Sequence, residues 1–283
     1  DEAIKRAKDS EYIIICVGSD WLQEGEFLVN LGNVKKKPKG SGGDRADLRI
    51  PEEDVKLINE LSKLNKKIIV NIMGGSAYVI KDWMDCADSV LMTFYSGLEG
   101  GNALADIISG DKTPGGKLPF TIAESADDYP PFLHIGAKNK DIEYGYYHGY
   151  SLFDKKNVEP HFPFGFGLSY SEFSFSDIKL RHEKNKITVN VNVNNNGDFN
   201  ADEVIQIYVG SNNKNADRPV KLLKGFRRVS VNAGSCVNTD IIIDTDDLRF
   251  FDPDSDEWKF DSSYTVYLGN NSKNIQQIGT VNF

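Results

Sequence analysis

Cysteine and histidine are scarce in this chain, and basic charge is not in excess. Cys16, Cys86 and Cys236 stand far apart in the sequence. They form neither the closely spaced set of a disulfide scaffold nor the paired ligands of a structural zinc site. Each reads as a small buried hydrophobe. The 4 histidines include no HxH or HExxH arrangement, so no metal is expected, and nothing calls for a cofactor. The formal net charge is −9. That argues against a nucleic-acid partner, whose phosphates call for a basic face. No apolar run approaches the roughly 18 residues of a membrane helix, so no membrane partner is expected. A cytoplasmic and a secreted soluble protein both remain open. No GxGxxG follows a strand, and GSGGDR lies in a long loop far from a helix start, which excludes a dinucleotide-binding fold. The first residue is Asp1 rather than Met. The chain is expected to be a piece of a longer protein, so the lack of a visible signal peptide carries no weight.

What is present suffices for a substantial core. The chain has 283 residues, 40% of them hydrophobic, room for one large domain or two ordinary ones. Up to about residue 110, helical and extended patterns alternate. A helix over 2–9 leads to the strand YIIICV, then a long loop over 18–50. PEEDVKLINELSKL reads as a helix, with Pro51 at its first position and Glu52, Glu53 and Asp54 suited to the positive end of its dipole. KKIIVNIM and SVLMTFY read as strands, with helices expected near 76–84 and over GGNALADIISG. The strands are continuous apolar runs, the mark of a parallel sheet covered on both faces. Three strands are few for such a sheet, so further strands are expected upstream.

Residues 111–170 hold most of the 10 prolines together with the aromatic runs GYYHGY and HFPFGFGLSY. Loops of this length in a compact protein are usually functional or interface-forming. From about 172 the period becomes two. Ile187, Val189, Val191 and Val193 alternate with polar residues, and EVIQIYVG, VNTDIIID and SYTVYLG follow, divided by Gly, Asn and Asp clusters. This is the pattern of an antiparallel β-sandwich of immunoglobulin or fibronectin type.

The stretch VGSDWLQEGEF draws attention for chemistry. Ligands of open α/β sheets sit outside the carboxyl ends of the strands, and Glu24 and Glu26 follow such an end. Trp21 beside them suits a sugar face, or desolvates a carboxyl group so that it serves as a general acid near neutrality. Taken alone, two acids after a strand are most often solvated surface.

The ordered set GGDRADLRIPEED, FYSGLEGGNALADIISGDKTPGGKLPFT, GYYHGYSLFD and EPHFPFGFGLSYSEF resembles the C-terminal half of glycoside hydrolase family 3. KLLKGFRRVSVNAGS and SSYTVYLGNNS resemble the fibronectin type III-like domain that ends many members. The resemblance implies an α/β plus all-β architecture. Residues 1–170 would form the family's α/β sandwich domain, mostly parallel with helices on both faces and truncated at its N-terminal end. Residues 171–283 would form the fibronectin type III-like domain. It implies a β-glucosidase-like, retaining, exo-acting β-glycosidase, with an oligosaccharide or β-glycoside substrate and no cofactor or metal. The nucleophilic Asp would lie on a (β/α)8 barrel absent from this chain, which is therefore expected to be inactive alone. The barrel domain of the same protein is the implied partner, and the oligomeric state is left open. The family's acid/base Glu stands in an E-G pair after a strand ending in V-G. Here that is Glu24-Gly25 after Val17-Gly18, with Glu26 the fallback.

Trp21, Asp44 and Arg45 are the candidate substrate-binding residues, although for Asp44 and Arg45 a structural ion pair holding the loop is the weightier reading. Unlike many relatives, the chain separates Gly25 from Asp44-Arg45 by the stretch 26–43, which includes the lysine-rich KKKPKGSGG. Glu99 and the aromatic strip Tyr146, Tyr147, His148 and Tyr150 are expected to be mainly structural. Two other classes stay open: a non-catalytic carbohydrate-binding or interaction fragment, and a β-xylosidase of the same family.

Overall fold

The computed structural model describes residues 2–19, 48–130, 145–213 and 217–283. The chain divides into two compact units, one drawn from Asp1–Ala105 and Ile122–Gly145, the other from Asp106–Thr121 and Tyr146–Phe283.

The first unit is built on a parallel sheet in the order β1 (Tyr12–Gly18), β2 (Lys67–Met73), β3 (Ser89–Met92). Parallel neighbours need crossover connections. The connection from β1 to β2 carries α2 (Glu52–Ser62) and that from β2 to β3 only a short 3-10 helix, while α1 (Glu2–Ala7) precedes β1 and α3 (Gly100–Ser109) follows β3. Ile13, Ile15 and Val17 lie in register with Ile68, Val70 and Ile72, and all six are buried. Pro51 sits one position earlier than expected, as the N-cap of α2, with Glu52, Glu53 and Asp54 in the first turn.

Three expectations need correction here. No α-helix forms near 76–84. Tyr78, Val79, Ile80 and Trp83 are buried, which gives the segment its helix-like apolar spacing. However, the Val79 N–H donates to the Leu48 carbonyl at 2.8 Å rather than to a preceding turn, and only Met84–Cys86 winds into a short 3-10 helix. β-Branched Val79 and Ile80 suit that extended pairing. Nor is β1 covered on both faces. Tyr12, Ile14 and Cys16 are exposed on alternate positions of this edge strand, so among the described residues one of its faces is left largely open. The cysteines are likewise not all buried. Cys16 and Cys236 are exposed at outward positions of their strands, and Cys86, half-buried, donates to Asn59 Oδ1 at 3.2 Å.

The second unit is a two-sheet sandwich. One sheet runs β12 (Ile275–Asn282), β11 (Ser263–Gly269), β6 (Ala201–Ser211), β7 (Leu222–Val231); the other runs β4 (Phe173–Glu183), β5 (Lys186–Asn195), β8 (Cys236–Asp244). All described pairings are antiparallel. Ile187, Val189, Val191 and Val193 are fully buried against Ile205, Ile207, Val266 and Leu268. Each such side chain contributes about 1.5–3 kcal/mol by leaving water. A short hairpin, β9 (Phe250–Asp252) with β10 (Glu257–Lys259), stands apart from both sheets.

The aromatic loops fasten onto this sandwich. Leu118 and the turn at Gly165–Phe166 exchange two backbone hydrogen bonds of 2.8 Å. Gln206, buried in β6, donates to the carbonyls of Gly165 (3.1 Å) and Asn270 (2.7 Å) and accepts from Tyr208 at 2.6 Å. Gly165 has φ +81°, and a Cβ there would stand 2.2 Å from Gln206 Oε1, so only glycine fits. Lys117 Nζ reaches Glu203 at 2.9 Å and the Gly167 carbonyl at 2.9 Å. On α4 (Gly149–Lys156), Asp154 pairs with Lys221, and the Tyr150 hydroxyl accepts from Leu223 N at 2.8 Å.

Candidate functional site

Strands β1, β2 and β3 run parallel, so their carboxyl ends, Gly18, Met73 and Met92, share one edge of the sheet. Such an edge is where open α/β sheets place ligands. Glu24, Glu26, Trp21, Asp44 and Arg45 lie outside the described residues. The two stems of the segment that carries them are described.

The outgoing stem is tightly fixed. Gly18 ends β1 with φ +139°, and an added Cβ would fall 1.8 Å from the Met73 carbonyl oxygen. That close approach lets the Ser19 N–H donate to Met73 O at 3.1 Å. Ser19 Oγ lies 2.6 Å from the Tyr78 hydroxyl, either group donating, and Tyr78 also reaches Met73 O at 3.4 Å. Tyr78 is itself buried, packed where a Cβ on Gly74 would stand 2.0 Å from its oxygen. On the incoming stem, Leu48 accepts from Val79 N, and Arg49 lies 3.9 Å from Asp82 in an exposed ion pair. Both stems are therefore tied to the chain that follows β2, between Met73 and Val79.

Electrostatics at this edge are carried by Asp54, in the first turn of α2. Burial, reinforced by the neighbouring Glu53 charge, holds its carboxyl above the ordinary Asp value, and a backbone hydrogen bond from Gly18 pulls the other way. After β3 the chain turns sharply. Phe94 takes φ +53° and Gly97 φ +71°, so a non-glycine residue is held in the left-handed region beside the edge. Tyr95 and Leu98 are exposed there. Glu99 precedes α3, where its carboxylate accepts from Asn102 Nδ2 at 2.6 Å and its carbonyl from Ala103 N at 2.9 Å. It serves the helix start.

The aromatic strip divides between packing and exposure. Tyr150 packs on Phe164 and Tyr208 within the sandwich unit, and Tyr147 donates to Asp217 at 2.7 Å. Tyr146 remains exposed. The Asn270 side chain of the Asn270-Asn271-Ser272 sequon accepts from Asn274 Nδ2 at 2.9 Å, and Ser272 is buried. That sequon is part of a packed turn. Among the described residues, no three or more His, Cys, Asp or Glu side chains gather as a metal site, and no helix is long and apolar enough to cross a membrane. Ser19, Tyr78 and Gly74, which fix the stem after β1, were not singled out by sequence reasoning. The signal available was the pair of glycines ending IMGG, which opens the room that Tyr78 fills.

With this geometry in hand, similarity to known proteins places the chain. Residues 1–170 match the glycosyl hydrolase family 3 C-terminal domain, and residues 203–272 match the fibronectin type III-like domain. The chain belongs to glycosyl hydrolase family 3. It is 32% identical over its whole length to the β-glucosidase BoGH3A of Bacteroides ovatus, of which it covers 37%. It is 30% identical over 96% of its length to a xylan 1,4-β-xylosidase of Xylanibacter ruminicola, covering 30% of that protein. The crystal structure of the β-D-glucoside glucohydrolase of Trichoderma reesei superposes with a TM-score of 0.88 at 25% identity, over 99% of this chain and 41% of that one. The chain thus spans well under half of these relatives. The fold expected from the resemblance, a mixed α/β domain followed by a fibronectin type III-like sandwich, is the one observed.

Proposed function

We propose that this chain is the part of a retaining, exo-acting β-glycosidase that supplies the acid/base carboxyl group, with Glu24 in that role and Glu26 as the fallback. The α/β domain is taken as 1–170 and the fibronectin type III-like domain as 171–283. The observation that carries the reading is the stem at Gly18 and Ser19. Ser19, shortly before Glu24 in the sequence, leaves the carboxyl edge of the parallel sheet hydrogen-bonded to Met73 and Tyr78, which supports a catalytic segment starting from that edge.

The chemistry needs two carboxyl groups about 5 Å apart, one a nucleophile and one an acid/base. The Asp nucleophile, on a (β/α)8 barrel of the same protein, attacks the anomeric carbon. Glu24 protonates the departing glycosidic oxygen. In the second half, Glu24 takes a proton from the attacking water as the glycosyl–enzyme bond breaks, and the anomeric configuration is retained. Carrying the two acids on different domains lets their environments differ, one ionised and the other protonated. Trp21 would stack on the sugar, and Asp44 with Arg45 would order the loop around it. No cofactor or metal takes part. The chain alone lacks the nucleophile and is inactive by itself. The substrate is a terminal β-linked sugar of a β-glycoside or oligosaccharide, glucose being favoured by the β-glucosidases among the relatives. The xylosidase relative keeps xylose as the second reading.

The test uses the intact enzyme, this chain together with its barrel domain. Glu24→Gln is expected to lower turnover about a hundred- to ten-thousand-fold on alkyl glycosides and disaccharides, and far less on dinitrophenyl glycosides. An unchanged rate on the alkyl glycosides removes Glu24 from the role.

A further inference from the structure

The hairpin β9–β10 presents a bare aromatic pair that the glycosidase reading does not use. Phe251 and Trp258 are directly opposite one another across the two strands. They are 47% and 63% exposed, with ring centroids 5.8 Å apart and planes inclined at 63°. The opposite face of the hairpin is firmly held. Phe250 lies under the Arg218 guanidinium, whose Nη1 pairs with Asp261 at 2.6 Å. Lys259 and Ser255 both donate to Asp252 Oδ2, at 2.6 and 2.9 Å, and Asp254 N donates to Asp252 Oδ1 at 3.2 Å. Next along the chain, Phe260 stacks on Phe283 at 4.5 Å. One face is anchored and the other is left to solvent.

We propose that Phe251 and Trp258 form an accessory glycan-binding site on the fibronectin type III-like domain, taking one or two rings of a soluble, neutral β-glucan. Three features select this occupant. The first is size. Two partly exposed rings offer about 200–250 Å², well short of the roughly 800 Å² per partner of a stable protein interface, but enough for a sugar ring or two. The second is chemistry. A β-linked pyranose carries its axial C–H groups on its faces, and these sit well on the electron-rich face of an indole or phenyl ring. The third is charge. Asp254, Asp256 and Glu257 crowd the tip of this arm, beyond Asp252 and Asp261, which pair with Lys259 and Arg218. A carboxylate-bearing polysaccharide is repelled, while neutral hydroxyls find acceptors. The 63° inclination further favours a single twisted chain over the flat face of crystalline cellulose. This inference stands apart from the assignment of Glu24.

The experiment is native affinity electrophoresis of the full chain in gels containing hydroxyethyl cellulose, with dextran gels and plain gels alongside. The wild-type chain is expected to be retarded by hydroxyethyl cellulose and not by dextran. Trp258→Ala and Phe251→Ala should each weaken retardation about tenfold, with Trp258→Tyr restoring most of it. Circular dichroism verifies that the variants keep the wild-type fold, as substitution of exposed rings should allow. Wild-type migration that ignores the β-glucan, equal retardation in dextran, or an alanine variant retarded like wild type would overturn the proposal. So would a wild-type dimer in sedimentation velocity that Trp258→Ala dissolves, since the patch would then belong to a second copy.

Discussion

Replacing Gly18 by alanine tests how the candidate site is held. In the native backbone Gly18 has φ +139°, a region L side chains rarely adopt, and the new Cβ would fall 1.8 Å from the Met73 carbonyl oxygen. Holding a non-glycine residue there costs about 1–3 kcal/mol. Relieving the clash means pulling β1 away from Met73, which loses the 3.1 Å bond from Ser19 N, about 1 kcal/mol more. The sum is about 2–4 kcal/mol, or about 5–15 °C in melting temperature at the 2–4 °C per kcal/mol typical of domains this size. Thermal unfolding of the full chain followed by circular dichroism measures it. In the intact enzyme the same change displaces the root of the segment bearing Glu24. A misplacement of about 1 Å costs about a hundredfold in turnover. A Gly18→Ala chain that melts within about 1 °C of wild type would refute the reasoning, because neither the strain nor the close approach would then be real.

Other outcomes follow from the same physics. Lys117 and Glu203 are 11% and 4% exposed, so Lys117→Met strands a buried carboxylate and should destabilise by about 3–5 kcal/mol in urea unfolding. The double variant Lys117→Met/Glu203→Leu should cost much less; equal losses would contradict the argument. Asp54 is held above its ordinary value of 3.8, with burial the first cause. The folded state therefore binds the proton more tightly than the unfolded chain, and stability falls as pH rises through the window just above 3.8. Asp54→Asn, which can still accept from Gly18, should exceed wild type in stability near neutrality and lose that advantage below 3.8; no pH dependence of the difference would reject this. Trp258→Ala should release the chain from hydroxyethyl cellulose gels without changing its fold.

Much of the fold was legible because its periods are strong. Ile187, Val189, Val191 and Val193 alternate without interruption, and the strand they predict is the one found, fully buried on one face. YIIICV and KIIVNIM were equally plain as strands, but not which of their faces would be covered, since an apolar run reads the same in either case. Around 76–84 the apolar spacing misled. Tyr78, Val79, Ile80 and Trp83 are buried by an extended stretch paired with Leu48, and that long-range partner leaves no local trace. For the site, the proposal of Glu24 rests on its V-G and E-G neighbours and the family they resemble, and Glu24 lies outside the described residues. The clamp of Ser19, Tyr78 and Met73 was not, because it joins residues far apart in sequence. The Phe251–Trp258 pair was hidden too: FFDPDSDEWKF shows four aromatics, and only the hairpin register sets Phe251 and Trp258 side by side.

The most direct test of the central claim is azide rescue of Glu24→Gln in the intact enzyme with a dinitrophenyl β-glycoside. That leaving group departs without acid help, so the glycosyl–enzyme forms and then waits for a base. Azide, needing none, attacks the anomeric carbon and displaces the enzyme carboxylate. The account predicts that azide accelerates turnover and that the product is the β-glycosyl azide. A variant that turns over at the wild-type rate, or one that azide neither accelerates nor diverts to the β-azide, would contradict it, and the role would pass to Glu26 or leave this chain altogether.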